Sequence, residues 1–151
     1  MAWEIPKTDW EATDYFNIED WRRVQNNLIW INNWFKDRGW PNAALEDTTP
    51  YRDSMTLPTV ELVNRLERNI QKIFNISLIP VTKFRDSKEW HARLSSLYTG
   101  NPTYDDWNRW EELPVYIKES IDYVSVYLNN RICGTFYAGN NKQLQLFSRG
   151  R

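Results

Sequence analysis

Asn17-Ile18-Glu19-Asp20-Trp21-Arg22-Arg23-Val24-Gln25-Asn26-Asn27-Leu28 recurs as Thr59-Val60-Glu61-Leu62-Val63-Asn64-Arg65-Leu66-Glu67-Arg68-Asn69-Ile70, and again as Thr103-Tyr104-Asp105-Asp106-Trp107-Asn108-Arg109-Trp110-Glu111-Glu112-Leu113-Pro114. A small polar residue opens each copy, a carboxylate follows two places later, and an arginine holds the sixth place after the opener. Ile18 and Val60 lie 42 residues apart, and Val60 and Tyr104 lie 44 apart.

In the first copy Ile18, Trp21, Val24, Leu28, Ile31 and Phe35 follow one another at steps of 3, 3, 4, 3 and 4, which is the period of an amphipathic helix. Asn17 is a good N-cap, with Glu19 and Asp20 in the first turn where the helix dipole favours anions. The helix is expected to run to about Arg38 and to stop at Gly39, with Pro41 just beyond. Asn26, Asn27, Asn32 and Asn33 are placed on its opposite, polar face. The second copy carries Val60, Val63, Leu66, Ile70 and Ile73 and is expected to be helical to about Phe74 or Ile76. The third, through Tyr104, Trp107, Trp110, Pro114, Ile117, Ile121, Val124 and Leu128, is interrupted by Pro114. A proline there removes a hydrogen bond and crowds the preceding turn, so a kink is expected, or a break with a second segment to about Asn130.

The connectors read differently. Residues 1–16 carry Pro6, Asp9, Thr13 and Asp14 among aromatic rings, and predict an extended arm that docks those rings. Residues 39–58 form a long connector with one helical turn expected around Ala43 to Glu46, and such length suggests a structured loop. Leu78-Ile79-Pro80-Val81 is too short and Pro-broken for a central strand. Ser87 is expected to cap a short helix through Trp90, Leu94 and Leu97, ended by Gly100. Around Gly139-Asn140-Asn141 the β-prone flanks predict a small C-terminal β-hairpin within residues 131–151. The fold class is therefore mainly α: one domain over residues 1–151, a bundle of three long amphipathic helices with irregular connectors, an extended N-terminal arm and a small C-terminal β-hairpin.

Composition limits the function. The 151 residues are 41% hydrophobic and 26% charged, as in ordinary globular chains, but nine are Trp. A formal net charge of −1 removes the electrostatic case for nucleic acid. Cys133 is the one cysteine and cannot form an internal disulfide; it reads as a small buried hydrophobe. His91 has no second ligand type nearby and makes no metal pattern. No metal or other cofactor is expected. The opening Met-Ala-Trp-Glu-Ile-Pro-Lys lacks the signal-peptide pattern, and no run approaches the roughly 18 apolar residues of a membrane span. The chain is expected to fold in the cytoplasm and not to engage a membrane.

Asp105–Asp106 and Glu111–Glu112 are the carboxylate pairs that acid/base chemistry on glycans would need. The first lies in a helix's first turn and the second reads as part of a solvated face, so no catalytic residue is assigned and no enzyme is expected. Trp21, Trp107 and Trp110 lie on core stripes. Trp3, Trp10, Trp34, Trp40 and Trp90 lie off the stripes or in connectors, and are the candidate partner-binding residues, since tryptophan is enriched at protein interfaces. Stacking on sugars is the alternative use of the same rings.

Trp3-Glu4-Ile5-Pro6-Lys7-Thr8-Asp9-Trp10, with Phe16, Asn17, Asp20, Trp21, Arg23, Val24 and Asn27 after it, resembles the start of small structural proteins encoded in tail gene clusters of phages and prophages of Gram-positive bacteria. In that group a Trp-x-x-Pro-Lys-Thr-Asp-Trp opening precedes a Phe-Asn-x-x-Asp-Tyr-x-Arg-Ile-x-x-Asn helix. Trp21 and Val24 stand here for its Tyr and Ile, and Pro114 is a larger departure. Asp106 to Glu111 and Gly134 to Asn140 are similar to its recurring pieces. The resemblance implies a non-enzymatic virion protein of the tail tip, baseplate or fibre attachment, present in several copies and bound to other tail proteins. The alternative it leaves is an adhesion module that binds a host cell-wall glycan.

Overall fold

A computed structural model describes residues 2–49, 59–77, 82, 85–91 and 102–131. Its elements are three helices, α1 (Ile18–Asp37), α2 (Val60–Ser77) and α3 (Tyr104–Arg131), and the described residues contain no strand. The expected hairpin, Cys133, the 78–81 stretch, and residues 92–100 of the short helix expected from Ser87 fall outside the described residues.

Helix starts follow the repeat. Asn17 accepts from the Glu19 and Asp20 amides at 2.8 and 3.2 Å, and Asp20 Oδ2 accepts from the Asn17 amide at 2.9 Å, which completes a capping box. Thr59 Oγ1 accepts from the Leu62 amide at 3.3 Å. At α3 the reciprocal half forms, with the Thr103 amide and hydroxyl both donating to Asp106 Oδ2. Asn17→Ala should lower stability by about 1 kcal/mol, read as a lower urea midpoint at unchanged slope.

The end of α1 is a Schellman motif. The Gly39 amide donates to Lys36 and the Trp40 amide to Phe35, both at 3.0 Å, while Gly39 sits at φ +69°, where a side chain is strained. The hydrophobic contact that accompanies this motif is present as Trp40 stacked on Phe35, 6.0 Å apart and 16° from parallel.

Most of each stripe faces inward, although the first residues of the second and third, Val60 and Tyr104, are exposed. Trp21, Val24, Leu28, Ile31 and Phe35 of α1, Val63, Leu66, Ile70 and Ile73 of α2, and Trp110, Leu113 and Ile117 of α3 are buried. Pro114 is buried within an unbroken helix, so the expected break does not occur. Its missing N–H removes one bond to Trp110, and the turns on either side continue.

Among the described residues, 43–46 and 87–91 form no helix, although short ones were expected to include them. Ala43 donates to and accepts from the Asn32 side chain (2.7 and 2.9 Å), and Glu46 does the same with Asn69 (2.8 and 2.9 Å). Trp90 is held in this way by Asn64 at 2.8 and 2.9 Å, with the Lys88 amide on Glu67. A helical turn at either place would need those backbone groups for itself, so the side-chain clamps win.

The chain divides into two compact units, Met1–Ile117 and Lys118–Arg151, with the boundary inside α3. The second shows Ile121 buried, a Lys118–Asp122 ion pair at 2.6 Å, and exposed Tyr123 and Val126.

Candidate functional site

The repeat has a three-dimensional meaning in the first unit. A stretch without helix or strand precedes each helix, and its backbone is gripped by asparagines at fixed places of the repeat. Ten places after the opener, Asn27 of α1 holds both backbone groups of Glu4, and Asn69 of α2 holds those of Glu46. At the fifth place, Asn108 of α3 holds Trp10 (2.8 and 3.0 Å) and Asn64 of α2 holds Trp90. The arm thus bridges α1 and α3, residues 43–48 bridge α1 and α2, and residues 85–90 bridge α2 and α3. Each segment lies between its own helix and the helix before it, and the arm closes the circle.

The same cyclic order governs the charges. Arg109, at the sixth place of the third copy, reaches Glu67, at the eighth place of the second, with Nη1–Oε2 at 2.8 Å and a short Nη2–Oε1 contact. Both side chains are at most 4% exposed. Glu67 also accepts from the indole N–H groups of Trp90 (3.1 Å) and Trp110 (2.9 Å). Arg23, at the sixth place of the first copy, reaches Glu111, at the eighth place of the third, through Nε at 3.0 Å and a short Nη2 contact. Gln25 occupies the eighth place in the first copy and bonds Thr49 instead, while Arg65 turns to Glu61 and the Asp47 carbonyl. Two of the three cyclic ion pairs are therefore formed, and the α1–α2 groove there holds a cavity of about 310 Å³.

Glu111, read from sequence as solvated, is fully buried, and Glu112 is half-buried on Arg85. Asn27, placed on the polar face, is also fully buried, because its amide is the arm's clamp. Burial pushes the Glu111 carboxyl up to about 6, against the pull of Arg23. Asp106 is held below the usual carboxylate range, burial notwithstanding, by Lys88, the Thr103 amide and Arg109. Glu46, clasped by Arg68 and Lys72, is lowered to about 2.

The Glu111 shift gives a signed expectation. A raised carboxyl binds its proton more tightly when folded, so this group's contribution is fully present below about 4.5 and is lost as pH rises through 6. The loss is about 2 kcal/mol. Glu111→Gln should remove this slope, so that the wild-type minus variant stability difference falls between pH 4.5 and 7 and is flat above. A difference that stays level across that window would contradict the buried placement.

The five candidate tryptophans are not gathered into one surface. Trp10 (5% exposed) is enclosed by Phe16 and Trp107, and Trp90 (5%) bonds Glu67. Trp34 (9%) lies under the Arg38 guanidinium, 4.0 Å from its ring centre. Trp3 is half-buried, edge-on to Trp30 at 5.4 Å. Only Trp34 and Trp40 meet, at 5.4 Å, and only Trp40 is more than a third exposed. Trp10, Trp34 and Trp90 are buried because the helices and clamped segments enclose them. The sequence reading did not pair Arg109 with Glu67 or Arg23 with Glu111, and gave the clamping asparagines no role in holding the connectors. Their signal was the coincidence of Arg and Glu at the sixth and eighth places of different copies.

Among the described residues no group of three or more His, Cys, Asp or Glu side chains is arranged to hold a metal ion. None of the helices there is long and apolar enough to cross a membrane. No family model matches the chain, and no curated protein or solved structure matches it either.

Proposed function

We propose that this chain is a non-enzymatic structural protein of a phage virion, a three-helix bundle with a C-terminal hairpin that joins other proteins at the tail tip, baseplate or fibre attachment. One observation carries the reading. Several of the residues that resemble tail-cluster proteins hold the bundle together: Trp10 and Asn108 join the arm to α3, Asn27 joins it to α1, Arg23 (itself braced by Asp20) joins α1 to α3, and Arg109 joins α3 to α2. The likeness thus lies in the scaffold itself. The buried carboxylates support the same reading, since Glu67, Asp106 and Glu111 are each committed to a cation of the fold. With the arm docked, the exposed large apolar groups among the described residues include Ile5 and Tyr15, 86% and 90% exposed, Tyr123 and Val126 on the later turns of α3, and Trp40.

The test is negative-stain imaging of particles with and without this gene product. Tails with a missing or malformed tip would support the assignment; a protein absent from purified particles would sink it. Trp40 favours a second reading, adhesion to a host cell-wall glycan, because it is 39% exposed just beyond the end of α1. Whole particles that no longer attach, and a Trp fluorescence change with cell-wall polysaccharide that Trp40→Ala abolishes, would point there instead.

A further inference from the structure

We infer that the groove between α1 and α3 is a receptor for an extended aromatic segment, and that two copies of the chain exchange residues 2–14 through it. What the groove recognises is visible in its present occupant. Asn27 and Asn108 each read both backbone groups of one arm residue, and Trp107 and Phe16 wall the Trp10 ring at 5.5 and 5.4 Å. Every one of these contacts joins the arm to residues beyond the turn at 11–14, so an arm from a second copy makes the same set.

The circle of repeats supplies the topological reason. Residues 43–48 and 85–90 bridge helices that are consecutive in the chain, whereas the arm bridges the first and the last. That seam is where a closed circle is interchangeable with a link between copies. Among the described residues, two of the three buried side-chain polar atoms without a hydrogen bond, Trp10 Nε1 and Glu111 Oε2, lie at this seam, and the third, Arg109 Nε, lies between α2 and α3. The hinge is slight: an exposed turn in which Asp14 bonds Glu11 through amide and carboxylate at 3.0 Å and Lys7 at 2.9 Å. The inference stands apart from the tail assignment, since it concerns only copies of this chain.

The test uses two full-length single-cysteine chains, each also Cys133→Ser, one with Glu4→Cys and the other with Asn26→Cys. The Glu4 carboxylate and Asn26 amide touch at 2.8 Å. The chains are mixed, unfolded, refolded together at high concentration and oxidised. Arm exchange predicts a disulfide-linked product of twice the 18.2 kDa chain mass, at least tenfold above a control pairing Glu4→Cys with Asn33→Cys on the exposed face of α1. Thr13→Pro, which disfavours the closed turn, should raise its share. A yield no higher than the control, with the native turn and with Thr13→Pro alike, overturns the proposal.

Discussion

Arg109→Ala should be among the most damaging single substitutions in this chain, at about 3–5 kcal/mol. Its guanidinium is 4% exposed and faces Glu67, itself 2% exposed, so removing it leaves a carboxylate far from water. The Trp90 and Trp110 indoles and the Lys88 amide would still donate to Glu67, but neutral donors offset only part of an unpaired charge. For 151 residues the loss corresponds to a melting temperature lower by roughly 10 °C. Arg109→Lys should fall between, since an ammonium keeps the charge and loses the two-pronged fit. Replacing both partners, as Arg109→Met with Glu67→Leu, should recover only part of the loss, because the two indole N–H groups then lack their acceptor. Urea unfolding followed by Trp fluorescence measures all three. A loss under about 1 kcal/mol for Arg109→Ala would mean that water reaches the pair.

Why the sequence disclosed the helices but not this pair is a matter of range. The capping box at Asn17 and the Schellman turn at Gly39 are built from residues within six positions of one another, so local chemistry determines them. The Arg109–Glu67 and Arg23–Glu111 pairs span 42 and 88 residues. On one helix, a glutamate two places past an arginine looks like surface patterning; its meaning appears only once the copies are set side by side in space. The asparagines misled for a related reason. Asn27 and Asn69 are polar, yet each is buried, because an extended backbone passing over a helix must be satisfied and a carboxamide offers donor and acceptor together. The same grips overrode local helix propensity at Ala43–Glu46 and at Ser87–Trp90. Periodicity set the five tryptophans off the stripes or in connectors, but it carries no information about what encloses them, and Trp34 is buried within α1 all the same.

Trp10→Ala carries the second large effect, and it bears on how the arm works. The ring is 5% exposed, lies between Phe16 and Trp107, and has the Lys7 ammonium 4.3 Å from its centre. It is the one buried side chain among residues 2–16. Truncating a buried tryptophan costs about 3–5 kcal/mol. Here the loss should appear first as local opening, since what remains to hold the arm is two carboxamide grips and partly exposed contacts. The Glu4 and Trp10 amides, bonded to Asn27 and Asn108, are the reporters. In the wild type they should exchange slowly with deuterated water, and in Trp10→Ala at least about 100-fold faster, the equivalent of nearly 3 kcal/mol. Amides in the middle of α2 should change less. Trp40→Ala, at the far end of α1 and 39% exposed, should leave both reporters unchanged. An assembly protein with a loose arm would give a different result, with both reporters exchanging at unfolded rates already in the wild type. That outcome would mean the arm awaits a partner; slow wild-type exchange would mean that any partner must compete with the chain's own groove.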